Sequence, residues 1–391
     1  VNSSIFSDGD FVKITSDTIW DSQRTSSTIG ELNFVKDVPD SSSLTMTNEL
    51  MSDYTTADNA LIQKITPVRN INISGLKIQG TLANNSHRGI VITNGINCTI
   101  DKIQSYDMDI IHVQLFDCTF CRVINSLFQE SNASATGYGT SFADATQDCS
   151  AENNIFTDVR HSLSTNNSIG GITRRILFAN NIVTDSALAL GLTGGDAIDT
   201  HAGAEDILII GNVVNASSGS GINAECRSAT ITNNIISFSQ GNGITHQNYT
   251  DQTGWSNISG NTIRNTLGNY SIAVVPNSAS FSSCLITGNI TDLHEGSGIR
   301  AIPGDFQFVN LVVTGNSVRM TGNSTSSGID IEAVLAGTVS GNTVLAAAVG
   351  ITIEDGQSVA ITGNSVRLAS DTGSTTGYGV RLAGSCYGCV I

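Results

Sequence analysis

Basic residues, prolines and aromatic residues are scarce in this chain of 391 residues. It has 18 Lys and Arg against 34 Asp and Glu, so the formal net charge is −16, and it has only 4 Pro. This shortage of cations argues against nucleic acids and anionic membranes as partners, because phosphates are bound mainly by Lys and Arg. No apolar run reaches the roughly 18 to 20 residues that span a bilayer. We therefore expect neither nucleic-acid binding nor membrane insertion.

The eight cysteines are not arranged like a disulfide framework. Most of them lie in or beside apolar segments, where a free thiol behaves as a small hydrophobic group. Two pairs, Cys118–Cys121 and Cys386–Cys389, have CxxC spacing but no nearby histidine that would complete a metal site. We predict free thiols and, with them, assembly in a reducing compartment.

A motif built around asparagine repeats along the chain, as in ILFANNIV (176–183), ATITNNII (229–236) and VVTGNSV (312–318). Eight intervals separate the first clear copy at Asn154 from the last at Asn364, so the mean period is about 26 residues. A fixed period of this length is typical of solenoid proteins. The repeated asparagines are Asn154, Asn181, Asn212, Asn234, Asn261, Asn289, Asn316, Asn342 and Asn364.

A second motif follows each asparagine, as in GINAE (221–225) and GITIE (350–354). Each repeat thus holds short strands of alternating character joined by Gly- and Asn-rich corners. Stacked coils bury a continuous core and pair as parallel strands, which one coil cannot do alone. We predict an all-β fold, a single-stranded parallel β-helix of about 11–12 coils. The repeated asparagines are expected to adopt the left-handed conformation at a corner and to bond to the next copy.

The first 60 residues lack the repeat. We predict an N-terminal lead-in segment over 1–60, which could cap the open end of the solenoid, and a β-helix domain over 61–391.

Over roughly residues 60–390 the pattern resembles the right-handed, pectate-lyase-like β-helix superfamily. Its members include polysaccharide lyases, glycoside hydrolases, uronan epimerases and phage tailspikes. The segments VRHSLSTNNSIGG (159–171) and GGDAIDTHAGAEDILIIGN (194–212) resemble those of phage and prophage depolymerases. That resemblance implies a right-handed helix and a carbohydrate groove lined by Arg160, His161, Asp199 and His201.

The tripeptide Asp199-Thr200-His201 also resembles the D-P-H motif of alginate C5-epimerases. Thr200 replaces the proline, and Asp196 stands where those epimerases have a tyrosine.

Outward-facing residues of a β-helix form a grid, because alternate residues along a strand share a face. Aligning the Gly-Ile motifs on their isoleucines, and Ile111 with them, predicts one polar patch on the outside. The outward residues in this alignment are His112, Asn166, Asp199, His201, Asn223, Glu225, Arg227 and Gln247.

The patch contains the groups that β-elimination at a uronate requires. His201 is the predicted base because an imidazole titrates near neutral pH, and Asp199 or Glu225 would fix its tautomer. Arg160 or Arg227 would bind the substrate carboxylate through a guanidinium fork.

His161 is the predicted general acid of this reaction. Inverting hydrolysis by Asp199 and Glu225 is the alternative, with an expected Cβ separation of about 8 Å. Two histidines and two arginines favour the lyase.

Substrate contacts are predicted for polar residues of the patch and for aromatic residues in two long segments, 129–148 and 246–257. Aromatic rings on such loops can stack on sugars, although Trp255 could equally pack in the core. The predicted contacts are Asn223, Gln247, Asn166, His112, Tyr138, Tyr249 and Trp255.

We expect no cofactor and no metal at the patch. A separate acidic stripe, Asp330 and Glu332 with Glu354 on the next coil, could bind Ca²⁺ or form a solvated face.

Together these features predict a tailspike-like depolymerase that cleaves a bacterial surface polysaccharide by β-elimination. The alternatives are an inverting glycoside hydrolase, a uronan C5-epimerase and a non-catalytic glycan-binding spike. A homotrimer and a place on the phage tail, or secretion, are implied by the same resemblance.

Overall fold

A computed structural model describes residues 3–21, 27–81, 87–131, 137–167, 170–186, 194–294, 296–302, 306–320, 326–346, 348–368 and 377–391. Within them the chain winds into a solenoid in which each coil adds one strand to each of three parallel sheets. The prediction of an all-β parallel β-helix is confirmed.

Each of the three long sheets runs the length of the solenoid. Sheet I contains Asn72–Ser74, Thr99–Asp101, Arg122–Ile124, Ser150–Glu152, Leu177–Ala179, Ile207–Ile210, Ser228–Thr232, Gly254–Ser259, Phe281–Thr287, Phe308–Thr314, Val334–Ser340 and Val359–Thr362. Sheet II contains Lys77–Gln79, Gln104–Tyr106, Leu127–Ser131, Ile155–Val159, Ile182–Ser186, Val213–Ser217, Ile235–Ser239, Thr262–Arg264, Ile290–His294, Ser317–Met320, Thr343–Ala346 and Ser365–Leu368. Sheet III contains Arg88–Thr93, Ile111–Phe116, Tyr138–Ala143, His161–Asn166, Ile198–Glu205, Ile222–Cys226, Ile244–Asn248, Tyr270–Pro276, Ser297–Ala301, Ser327–Glu332, Val349–Glu354 and Tyr378–Ala383.

Two short strand pairs accompany these sheets: Val68–Arg69 with Gly95–Ile96, and Thr173–Arg174 with Ile198–Glu205. The core lies between the three sheets. Ile198, Ile222, Ile244 and Ile272 are in register on successive coils of sheet III, and all four are fully buried. This stacking of like side chains fixes the register and so fixes which residues face outward.

The repeated asparagines form a buried ladder inside the corner between sheets I and II. Asn234 donates from Nδ2 to Asn261 Oδ1 at 3.0 Å, and Asn212 donates to Asn234 Oδ1 at the same distance. The predicted bonding between copies is thus observed. The predicted left-handed conformation belongs instead to the preceding residue, for example Asn233 or Gly260, with φ of 56° and 65°.

The N-terminal residues form an antiparallel sheet from the strands Phe11–Ile19, Thr28–Asp37, Thr45–Met46 and Leu61–Ile65. It lies against the flank of the solenoid: Gln147 Nε2 donates to Leu32 O at 2.9 Å, and Lys13 pairs with Asp117 at 2.8 Å. The capping role of this segment stays a prediction.

The described helices are the 3-10 turns Ser3–Ile5 and Thr56–Asp58, and neither is long and apolar enough to cross a membrane. All eight cysteines are free thiols, as predicted, and six of them are buried.

Candidate functional site

Two adjacent strands of sheet III bring three polar side chains together. Leu163 pairs in register with Ile198, so the strand His161–Asn166 lies directly beside Asp199 and His201. Asp199 Oδ2 lies 3.4 Å from His161 Nδ1 and 3.3 Å from His201 Nδ1. The predicted neighbourhood of Asp199, His201 and His161 is therefore present in the fold.

Tyr138 adds a phenol to this group from the preceding coil. Its hydroxyl lies 3.2 Å from His201 Nε2, and its ring stacks on that of His161 with centroids 5.4 Å apart. The sequence prediction placed Tyr138 in a long loop over 129–148. That is wrong for Tyr138 itself, because strands occupy Leu127–Ser131 and Tyr138–Ala143; residues 132–136 lie outside the described part of the chain.

A network of side-chain amides extends the group over the next two coils. Asn223 Nδ2 lies 3.4 Å from Asp199 Oδ1 and 3.3 Å from Glu225 Oε1. Gln247 Nε2 lies 3.4 Å from Asn223 Oδ1, and Tyr249 donates its hydroxyl to Gln247 Oε1 at 2.7 Å. Four of the predicted residues, Asn223, Glu225, Gln247 and Tyr249, thus belong to one connected surface.

Asp196 is a further carboxylate that the sequence prediction left out of the site. It accepts the backbone N–H of Ser220 at 2.5 Å and lies 3.3 Å from Asn223 Nδ2. Burial, followed by the negative charge of Asp199, raises the pKa of Asp196 to about 7. The sequence signal was available, since a carboxylate three residues before Asp199 sits just ahead of the same strand.

His161 is more deeply buried than a proton donor in a groove would be. Only 2% of the residue is exposed, and Nδ1 lies 3.0 Å from the carbonyl oxygen of Asp196. Burial lowers the pKa of His161 to about 4, so the ring is neutral at pH 7 and its Nε2 is a buried atom without a hydrogen-bond partner among the described residues. This environment does not fit the predicted role of His161 as the general acid.

Several solved structures are similar to this chain in three dimensions. The tailspike gp49 of Pseudomonas phage LKA1 matches with a TM-score of 0.56 and 16% identity over 93% of this chain and 63% of its own. The Gp54 tailspike of Acinetobacter baumannii bacteriophage AP22, solved with a capsular saccharide, matches with a TM-score of 0.57 and 13% identity over 98% and 60%. The Streptococcus pneumoniae surface adhesin PfbA matches with a TM-score of 0.50 and 13% identity over 76% and 84%.

The fold is the right-handed parallel β-helix of the tailspike type. No protein-family model and no curated protein sequence matches the chain. The chain spans less than two thirds of the length of either tailspike.

The two predicted arginines occupy different positions on this tailspike-type fold. Arg227 lies at the corner between sheets III and I, where its guanidinium pairs with Glu205 and its Nε donates to Thr253 O at 3.1 Å. The prediction that Arg227 binds substrate beside His201 does not fit the structure, because the ion pair with Glu205 holds the Arg227 side chain at the corner. Arg160 is adjacent to His161, and its Nε is buried without a hydrogen-bond partner in the described part of the chain; its role stays a prediction.

Two predicted substrate contacts lie away from the site. His112 is fully buried and faces the core, with Nδ1 2.8 Å from Ser105 Oγ and its ring against Phe128. The alignment was wrong by two residues, since Val113 and not Ile111 shares a column with Leu163, through Thr140.

Trp255 is the second of these residues. It lies in sheet I, in register with Ser228 and 37% exposed, and not in sheet III where the site is. Asn166 pairs with Ala143 on the preceding coil, follows the residues that pair with the strand of Asp199, and is half-buried; its contact with substrate stays a prediction.

The acidic stripe predicted on the later coils contains a cation of its own. Arg300 Nε lies 3.3 Å from Asp330 Oδ2, and a terminal nitrogen lies 3.0 Å from Glu332 Oε1. Among the described residues, the one group of three or more His, Cys, Asp or Glu with donor atoms within 4.8 Å of one another is His161, Asp199 and His201. A metal could therefore be held at the site, where none was expected; Ca²⁺ binding at the stripe stays a prediction.

Proposed function

We propose that this protein degrades a bacterial surface polysaccharide by β-elimination at a uronate residue, in the groove outside sheet III. The observation that carries the proposal is the contact of Tyr138 Oη with His201 Nε2, which sets two proton-transfer groups side by side on the outward face. The tailspike-type fold supports a glycan as the partner, and the strong net negative charge argues against nucleic acid.

Elimination requires one group to remove the proton at C5 and another to protonate the leaving oxygen at C4. The C5–H and C4–O bonds break and a C4–C5 double bond forms. The protein accepts the proton from C5 and delivers a proton to the leaving oxygen at C4. A phenol and an imidazole joined by a hydrogen bond can supply both transfers, because each both gives and accepts a proton. Asp199 holds the other ring nitrogen of His201 and thereby its orientation.

The carboxylate geometry favours elimination over inverting hydrolysis. Asp199 Oδ1 and Glu225 Oε1 lie 3.4 Å and 3.3 Å from the same atom, Asn223 Nδ2, so they can be no more than 6.7 Å apart. Inverting glycosidases keep their carboxyl groups roughly 6.5 to 9.5 Å apart to admit a water molecule. The pair in this site is at or below the lower end of that range.

Product masses from a panel of capsular and uronate polysaccharides test the reaction. Elimination adds no water, so the fragment masses sum to that of the substrate, and each new non-reducing end carries an unsaturated sugar. His201→Ala should give no fragments. His87→Ala, which breaks a separate His–Asp contact of 2.8 Å, should leave the products unchanged. A gain of one water per cleavage would exclude elimination.

The position of Tyr138 also supports the epimerase as an alternative function. The sequence lacks the tyrosine that the epimerase motif has three residues before Asp199, but the fold supplies a phenol from another coil. An epimerase would change the uronate composition without shortening the chain. A glycan-binding spike would release no product and leave the composition unchanged.

We also propose that three copies associate through sheet II, on the tail of a phage particle or as a secreted assembly. Four apolar side chains, Ile155, Ile182, Val213 and Ile235, occupy one outward column of this sheet, each 36–48% exposed. A contiguous apolar stripe of this kind is typical of a protein interface. Light scattering should give a trimer mass for the wild type and a monomer mass for the double variant Ile182→Lys, Ile235→Lys; a monomeric wild type would contradict the proposal.

A further inference from the structure

The contacts among His161, Asp199 and His201 are too long for strong charge-assisted hydrogen bonds. Both Nδ1 atoms lie 3.3–3.4 Å from the same carboxylate oxygen, whereas such bonds are about 2.7–2.9 Å long. Ligands at 2.0–2.1 Å from a tetrahedral metal ion are separated from one another by about 3.3 Å. Asp199 Oδ2 and His201 Nδ1 therefore have the spacing of two ligands around an ion, and one donor atom of each of the three residues lies within 4.8 Å of the other two.

The charge of the surroundings also favours a cation. Three carboxylates, those of Asp196, Asp199 and Glu225, converge on the amide of Asn223, at distances of 3.3–3.4 Å. Among the described residues, Arg160 brings a guanidinium close to His161, whereas Arg227 is paired with Glu205 at the corner. Asp199 makes ion pairs only with the two histidines among the described residues. An excess of negative charge repels a uronate and attracts a metal ion.

Both histidines have an oxygen at one ring nitrogen: at His161 the carbonyl oxygen of Asp196 lies 3.0 Å from Nδ1, which leaves Nε2 as the nitrogen able to bind an ion. A metal-binding histidine normally has its second nitrogen held by an oxygen, which fixes the tautomer. Tyr138 Oη holds Nε2 of His201 in this way, and it directs Nδ1 toward Asp199. The side chains of His161 and Asp199 are 3% and 4% exposed, but that of His201 is 17% exposed, so the cluster is accessible from one side only.

We propose that His161, Asp199 and His201 bind a divalent first-row transition metal ion. Two imidazoles and one carboxylate suit Zn²⁺, Mn²⁺, Fe²⁺ or Co²⁺, whereas Ca²⁺ prefers six to eight oxygen ligands. The open side at His201 leaves a coordination position for an oxygen of the substrate.

A bound ion also has a role in the proposed elimination reaction. This role rests on the proposed function, whereas the metal site itself does not. The ion supplies the positive charge for the uronate carboxylate that Arg227 does not supply. With Nδ1 of His201 on the ion, its Nε2 carries the hydrogen and donates to Tyr138 Oη. The base of the elimination is then Tyr138 as the phenolate, which takes the C5 proton and passes it to the leaving oxygen at C4, and His201 holds it in place.

Cobalt titration of chelator-treated protein tests the site without relying on activity. Tetrahedral or five-coordinate Co²⁺ absorbs visible light far more strongly than hydrated Co²⁺, so binding is read directly. We expect one ion per chain, and affinity reduced by roughly 100-fold or more in Asp199→Ala and in His161→Ala. His87→Ala, at a His–Asp pair outside the cluster, should bind Co²⁺ like the wild type. Circular dichroism checks that each variant is folded.

The possible failures are distinguishable. A wild-type spectrum equal to that of Co²⁺ in buffer, or equal binding by Asp199→Ala, would overturn the metal site. Normal cobalt binding without fragments from any glycan would count against the proposed function and leave the metal site standing. Full cleavage activity after removal of the metal would overturn the role of the ion in binding the uronate.

Discussion

Sheet III has two polar patches that consist of similar residue types but have different expected roles. The first is Tyr138, His161, Asp199 and His201; the second, five coils further on, is Tyr270, Arg300, Asp330 and Glu332. Asp199 and Asp330 even lie in the same outward column, which passes through Asn223, Thr245, Ala273 and Arg300. Each patch combines a tyrosine with at least one carboxylate, which faces imidazoles in the first patch and a guanidinium in the second.

In the second patch a guanidinium compensates the carboxylates. Arg300 pairs with Asp330 and Glu332 and lies over the ring of Tyr270, 5.0 Å from its centroid. In the first patch the partners of Asp199 are imidazoles, and burial keeps His161 neutral at pH 7. An acidic stripe already paired with an arginine is a structural feature, whereas a carboxylate facing imidazoles leaves a site able to take a proton, a cation or a substrate.

The largest expected effect comes from making the same change in both patches. Asp199→Asn should lower kcat/KM on the cleaved glycan by about 10³-fold, because it removes the group that orients His201. Asp330→Asn should leave kcat/KM within about twofold, since it touches no predicted substrate contact. Initial rates on one glycan measure both values of kcat/KM. Equal losses of kcat/KM in the two variants would show that the two patches do not differ in function.

The two tyrosines allow a second matched pair of variants. Tyr138→Phe keeps the ring on His161 but removes the hydroxyl, so kcat should fall by about 10²-fold with little change in melting temperature. Tyr270→Phe removes a hydroxyl that contacts Arg300 and should leave kcat unchanged. Should Tyr138→Phe retain full kcat, the phenol takes no part in proton transfer.

A histidine in the core of the same sheet, His246, allows an effect on stability to be measured apart from any effect on function. His246 is fully buried, with Nδ1 2.8 Å from Ser256 Oγ, and burial lowers its pKa to about 4 from the usual 6.5. The unfolded chain therefore binds the proton more readily, and stability falls as the pH drops from 6.5 toward 4. His246 alone should remove about 2 kcal/mol between pH 8 and pH 5.

Urea unfolding at the two pH values measures this loss. In His246→Gln the difference between pH 8 and pH 5 should shrink by that amount, whatever the variant costs at pH 8. An unchanged difference would show that the ring is not held neutral in the folded protein.

The smallest effect is expected from the cation of the second patch. Arg300→Gln should lower the free energy of unfolding by about 1 kcal/mol, since partly exposed ion pairs contribute little. Activity should be unchanged. A loss of activity on the scale of Asp199→Asn would place both patches in one functional groove, and steady-state rates would reveal it.

Part of the site was predictable because it depends only on local geometry. Asp199 and His201 are two residues apart on one strand, so they had to share a face once the strand was recognised. His161 and Tyr138 come from other coils, and their contacts depend on the register between strands. Alignment on Ile111 missed that register by two residues, and it assigned His112 to the outside although the side chain lies in the core.

The sequence by itself determined the coil, because a period of about 26 residues with one buried asparagine per turn admits stacking but not an independent fold for each repeat. Only the tertiary structure decided which charges meet. It directed Arg227 to Glu205 at a corner, brought Tyr138 to His201 across 63 residues of sequence, and left Asp199 between two imidazoles. Side-chain partners depend on distances of a few ångströms between coils, and a repeat pattern specifies the order of the coils without specifying those distances.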